Sequence, residues 1–156
     1  MKQRINIAEA GQGALKAMLG LHAHLAKSGP EKSLLELVYF RVSQINGCAY
    51  CLDMHSKDLR AAGETEQRLY LLDAWRESPF YTERERAALA WAEAVTLVRE
   101  GHVPDEVFGQ ARAQFSEEEL ANLTLAVIAI NGWNRLNIAF RTEPGGYTPG
   151  AFDVAA

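Results

Sequence analysis

The feature that most limits how this chain can fold is the stretch from Ser116 to Phe140, SEEELANLTLAVIAINGWNRLNIAF. Wound as a helix, it is apolar on nearly every side from Leu120 to Ile130, so no single stripe can be turned inward with the rest left wet. Asn122 and Thr124 interrupt the run, and it falls short of the roughly 20 apolar residues that a bilayer span needs. Such a helix must be wrapped by other helices or lie at a subunit contact. The rest of the chain offers the wrapping. LKAMLGLHAHLAKSG places Leu15, Met18, Leu19 and Leu25 at helical spacing and stops at Ser28-Gly29. Pro30 suits the first turn of a second helix, PEKSLLELVYFRVSQI, whose stripe is Leu35, Val38, Val42 and Ile45. Asn46-Gly47 breaks that helix, and a third is expected from about Cys48 to Ala62, ended by Gly63 as its C′ residue.

GETEQRLYLLDAWRES reads as a short fourth helix. Thr82 with Glu85, and Ser116 with Glu119, form capping boxes for TERERAALAWAEAVTLVREG and for the last helix. Between them Pro104 and the acids that follow favour another helix start. No strand pattern, internal repeat, low-complexity tract or interdomain linker interrupts this order. The expectation is an all-α protein, a single-domain bundle of about six to seven helices over residues 1–141 with a Cys-x-x-Cys at the start of one helix. The final TEPGGYTPGAFDVAA, residues 142–156, reads as a tail that is loosely ordered or drapes over a partner.

With 156 residues, the chain fits one domain with a substantial core. Its net charge of −4 argues against a nucleic-acid or anionic-membrane surface. The opening MKQRINIAEAGQGAL has basic residues but no apolar segment behind them, so a cytoplasmic, reducing setting is expected. In that setting a close cysteine pair reads as catalytic or metal-binding rather than as a staple.

The only cysteines of the chain, Cys48 and Cys51, stand in QINGCAYCLDMHSKD with His55 four residues after the second. At about 100° per residue the three fall within roughly 60° of arc on one helical face. The helix start favours a thiolate at Cys48, whereas His55 at i+4 favours Cys51, whose proton it can take directly or through a water. Three readings stay open from the residues: a redox dithiol with its own base, a Cys2His metal site, or a dithiol that switches assembly with little turnover. A structural zinc site needs a fourth ligand. The other histidines are poorly placed for it: His22 and His24 point to different faces of their helix, and His102 sits in the EGHVP turn. Glu36 interrupts the apolar run LLELVYF, either as a carboxylate buried for proton transfer or as a surface partner of Lys32.

Taken together these residues resemble the AhpD-like alkylhydroperoxidases of the carboxymuconolactone decarboxylase family. That family has a glutamate twelve residues before a Cys-x-x-Cys and a histidine four after it, as Glu36, Cys48, Cys51 and His55 stand here. ELVYFRVSQINGCAYCLDMHSKDLRAAGET, TERERAALAWAEAVTLV and LTLAVIAINGWNR also look like family segments. The resemblance implies a peroxidase with Cys51 as the thiolate that meets a hydroperoxide, Cys48 as the resolving thiol, and His55 and Glu36 as a proton relay. It implies recycling by a dithiol such as a dihydrolipoyl protein, no cofactor or resident metal, and a homotrimer or homohexamer. The apolar last helix and Trp133 are compatible with such an interface, and Asn131, Asn134 and Arg135 of NGWNR read as interface, pocket or helix-end groups. One departure stands out. The lipoyl-dependent enzymes have a second histidine just before the second cysteine, where this chain has Tyr50, a relay or pocket residue that is a poor base near neutrality.

Overall fold

The computed structural model of the protein describes residues 2–152. Among these, eight α-helices follow in order: α1 (Ile7–Ala10), α2 (Gln12–Ser28), α3 (Lys32–Asn46), α4 (Ala49–Ala61), α5 (Glu66–Leu71), α6 (Glu83–Thr96), α7 (Asp105–Gln114) and α8 (Glu117–Phe140). A 3-10 turn, Leu72–Ala74, extends α5. The all-α expectation holds, with the short α1 added to the seven helices read from sequence.

Both capping boxes form: Thr82 and Ser116 accept from the backbone N–H of Glu85 and Glu119, whose carboxylates reach back to the cap backbone. Gly63 ends α4 one residue beyond its cap with φ of +93°, a conformation that costs glycine little. The prolines lie further out than expected. Glu31 and Pro104 are the N-cap residues of α3 and α7, so Pro30 precedes the cap and Pro104 occupies it.

α8 packs against α2, α3, α4, α6 and α7, burying Leu120, Leu123, Ala126, Val127 and Ile130. It shares the centre with α3. Leu34, Leu35, Val38 and Val42 of α3 meet Ala88 and Ala92 of α6 and the buried side of α8. Leu37 and Phe40 face a second cluster with Leu59, Leu69, Leu72, Trp75 and Leu89. α3 thus separates two apolar clusters, where its sequence showed one stripe. Even Arg41 is buried on it, paired with Glu93 of α6 at 2.8 Å and with Asp73. On the other side of α8, Gly132 lets α2 approach: a Cβ there would stand 2.9 Å from the Met18 methyl.

Beyond α8 the chain turns at Arg141, in the left-handed conformation, and runs back over α4. Residues 153–156 of the expected tail lie outside the described residues.

Candidate functional site

The site grows from the α3–α4 joint. Gly47 takes φ of +67° and closes α3, and its N–H and that of Cys48 return to carbonyls of the last turn. A bracket of amides fixes this joint to α8. Asn46 donates to the side-chain oxygens of Asn131 at 3.0 Å and Asn134 at 2.8 Å. Asn134, wholly buried, donates in turn to the Ser43 hydroxyl at 3.0 Å. The Asn131 amide is held by Thr96 and the Val127 carbonyl. Burying this much polar surface is tolerable because the groups satisfy one another.

Cys48 therefore enters as the N-cap of α4 rather than within its first turn, a correction of one position. Its backbone is extended, and its sulfur accepts the Cys51 N–H at 3.4 Å. Cys48 and Cys51 are bonded to each other, with Cα atoms 5.4 Å apart. Both are almost completely buried. A cleft of about 260 Å³ between the start of α4 and the end of α8 is lined by Gly47, Cys48, Tyr50, Asn137, Arg141 and Thr142. Cys48 lines it and Cys51 does not. The Asn137 side-chain amide donates to the Cys51 sulfur at 3.5 Å.

Glu36 of α3 lies nineteen residues from His55 in sequence yet beside it in space: His55 Nδ1 and Glu36 Oε2 are 2.8 Å apart. Their side chains are only 5% and 13% exposed, so Glu36 is largely withdrawn from solvent. The other imidazole nitrogen, Nε2, is buried with no hydrogen-bond partner. Tyr39 tilts against the imidazole with ring centroids 5.4 Å apart. Burial, with Glu36 adding, holds its phenol protonated far above neutrality. Tyr50 is likewise pushed up by burial and by Asp53, so it can donate a hydrogen bond but not take a proton. Glu36, His55 and Asp58 bring donor atoms within 4.8 Å of one another. Each of these groups has a protein partner: Glu36 has His55, and Asp58 accepts from the Tyr147 hydroxyl and the Gly150 N–H.

The remaining histidines stay apart from this cluster. His24 pairs with Asn122 at 3.0 Å, and His102 is exposed in a turn with φ of +60°.

The sequence model of the carboxymuconolactone decarboxylase family matches residues 12–94. The chain belongs to that family. The matched span contains Glu36, both cysteines and His55 but ends before α7, α8 and the tail. The uncharacterized protein YdfG of Bacillus subtilis is 42% identical over 139 residues, covering 89% of this chain and 95% of that one. ATU0492 of Agrobacterium tumefaciens, solved as a protein of unknown function with a suggested role as an antioxidant defence protein AhpD, superposes with a TM-score of 0.89. It is 46% identical, over 94% of this chain and all of that one. The alkyl hydroperoxide reductase AhpD of Streptomyces coelicolor matches a shorter span, 40% identical over 81 residues, half of this chain and 45% of that one. The fold is AhpD-like, and the family points to peroxide-related chemistry.

Asn137, Asp58 and Tyr147 were not singled out from sequence. A signal for the first existed: Asn131, Asn134 and Asn137 recur every third residue at the end of an apolar helix, a polar strip that needs partners. Nothing local marks Tyr147, because its partner Asp58 lies 89 residues away.

Proposed function

We propose that this protein is a thiol peroxidase that reduces organic hydroperoxides through Cys51, resolves through Cys48 and is recycled by a lipoyl-type dithiol. The observation that carries this reading is the unpartnered, buried Nε2 of His55, whose other nitrogen is fixed by Glu36. Buried polar atoms rarely lack a partner in native proteins. In this reading its partner is the Cys51 thiol of the reduced form, which stands one helical turn before His55 in the sequence.

In the reduced protein His55 takes the Cys51 proton, with Glu36 stabilising the imidazolium. The thiolate attacks the outer oxygen of the hydroperoxide and the O–O bond breaks. The leaving alkoxide takes the proton from His55 and departs as the alcohol, and Cys51 becomes a sulfenic acid. The Cys48 thiol then displaces the sulfenic hydroxyl as water and forms the Cys48–Cys51 disulfide. One thiolate of the donor attacks Cys48, the sulfur that the cleft reaches, and Cys51 leaves as a thiolate beside the Asn137 amide. The second donor thiol frees Cys48, and the donor departs as its own disulfide with two electrons transferred. Tyr50, protonated on the wall of the cleft that reaches Cys48, offers a hydrogen-bond donor there. Exposed Leu19, Ile128 and Ile138 on α2 and α8 give apolar ground for a homotrimer or homohexamer.

The roles of the two sulfurs separate in single variants. Cys48→Ser treated with a hydroperoxide and a dimedone probe should carry the adduct on Cys51 by mass spectrometry. A peroxide-dependent adduct on Cys48 in Cys51→Ser, with none on Cys51 in Cys48→Ser, would reverse the assignment.

A further inference from the structure

We propose that the segment from Gly145 to Gly150 is a clasp over the Glu36–His55 pair, in which Tyr147 is a positioning residue that keeps Asp58 from competing for His55. This rests on the relay proposed above, but the clasp lies outside the residues that match the family model, 12–94.

One face of α4 carries Cys51 and His55, and the residues beside that face hold the tail. Lys57 Nζ donates to the carbonyls of Gly145 at 3.1 Å and Tyr147 at 3.2 Å, and pairs with Asp53 at 2.8 Å. Asp53 accepts the Gly145 N–H at 2.9 Å, and Asp58 accepts the Gly150 N–H at 3.0 Å. Tyr147 then sets its hydroxyl against both oxygens of Asp58, at 3.0 and 2.9 Å, with its ring stacked on Phe152. Gly145 and Gly150 turn with φ of +104° and +78°, which other residues adopt only at a cost. The segment is built onto α4 by both of its ends.

Its effect follows from charge. Two carboxylates, Glu36 from α3 and Asp58 from α4, stand within 4.8 Å of one imidazole. Among the described residues, the pair is also neighboured by the phenols of Tyr39 and Tyr147, by Asp53 and Lys57 as an ion pair, and by Lys32 one turn before Glu36 on α3. Glu36 uses the His55 Nδ1 proton, and Asp58, with Tyr147 and Gly150 as donors, has no need of it. Burial and the Asp58 carboxylate keep the Tyr147 phenol protonated well above the range in which thiols titrate. Without that hydroxyl, Asp58 keeps the Gly150 N–H, and a His55 ring nitrogen stands within 4.8 Å of its carboxylate as a further donor. The imidazole is then drawn from the orientation that presents Nε2 to Cys51, and the Cys51 thiolate loses support.

The test is the rate of Cys51 alkylation by iodoacetamide, measured from pH 5 to 10 on reduced protein in a Cys48→Ser background. Tyr147→Phe keeps the ring and removes the donor. The rate at pH 7 should fall roughly threefold or more, as the profile moves up by about half a pH unit. In Asp58→Asn, where the competing charge is absent, the same Tyr147→Phe change should leave the profile where it is. An unchanged or faster rate after Tyr147→Phe alone overturns the proposal. So does a fall of equal size in both backgrounds, since Tyr147 would then act through packing only. No peroxide enters the assay, so a protein inactive toward hydroperoxides can still return either result.

Discussion

Replacing Asn134 with leucine, a side chain of similar size and branching, should show how much of the site depends on the amide bracket. Asn134 is fully buried, accepts from Asn46 at 2.8 Å and donates to Ser43 at 3.0 Å. The two hydrogen bonds contribute about 1 kcal/mol each, and leaving the buried Ser43 hydroxyl short of its donor adds about 1–2 kcal/mol. Asn46 keeps its bond to Asn131, so no further term is due there. The sum, about 3–4 kcal/mol, corresponds to a Tm lower by roughly 6–16 °C for a chain of this length. Urea denaturation at pH 7 followed by far-UV circular dichroism measures it directly, with the midpoint moving and the slope unchanged. Asn46→Ala combined with Asn134→Ala should then cost less than the two single changes added, by about 1 kcal/mol. A loss below about 1 kcal/mol in Asn134→Leu, against the range expected for buried hydrogen bonds, would refute the view that this bracket holds the α3–α4 joint.

Glu36→Gln keeps an acceptor for His55 but removes the charge, and the rate of peroxide-driven Cys51 oxidation should fall about 100-fold, read by stopped-flow fluorescence. An equal rate would take Glu36 out of the relay. Asn137→Leu removes the donor on the Cys51 sulfur and should slow the same step about tenfold, the equivalent of one hydrogen bond to a charged group. Glu93 gives a pH prediction. Burial pushes its carboxyl up, but hydrogen bonds from Trp75, Arg76 and Arg41 outweigh this and hold it below the usual carboxylate range. A depressed folded value stabilises the protein above the unfolded pKa, near 4.5, and that stability is lost as pH falls through the folded value. Glu93→Gln should therefore be less stable than the parent at pH 7 by about 2–3 kcal/mol. The gap should close in denaturation curves taken toward pH 3, and a gap independent of pH would contradict the assignment.

The helices were legible in sequence because their signals are local. The Thr82 and Ser116 boxes, the Gly63 stop and the Asn46-Gly47 break all act within one turn of chain, and all appear where the residues place them. Pro30 and Pro104 were read one or two positions too far inside, since proline fits both the first turn and the positions before it. The double-sided burial of α3 was not legible. Its stripe could be counted, but Leu37 and Phe40 find their second cluster only once α4 and α5 fold back. At the site, Cys51 and His55 share a face of α4 by helical periodicity, whereas Cys48 stands just outside the helix as its cap. The Glu36–His55 pairing does not follow from periodicity, because nineteen residues and a helix joint lie between them; it came from a family resemblance. Asn137 and Tyr147 reach α4 from 86 and 89 residues away, and no short-range pattern encodes such partners. The tail shows the limit most clearly. Its glycines and prolines carry no period, yet Asp53, Lys57 and Asp58 hold it down.

The measurement that tests the peroxidase function most directly is steady-state consumption of an organic hydroperoxide with dihydrolipoamide as the electron donor, run beside Cys51→Ser. Turnover should oxidise one dithiol per peroxide and vanish in the variant. Fully reduced, correctly folded protein that consumes no hydroperoxide, or a Cys51→Ser protein that turns over like the parent, would contradict that function.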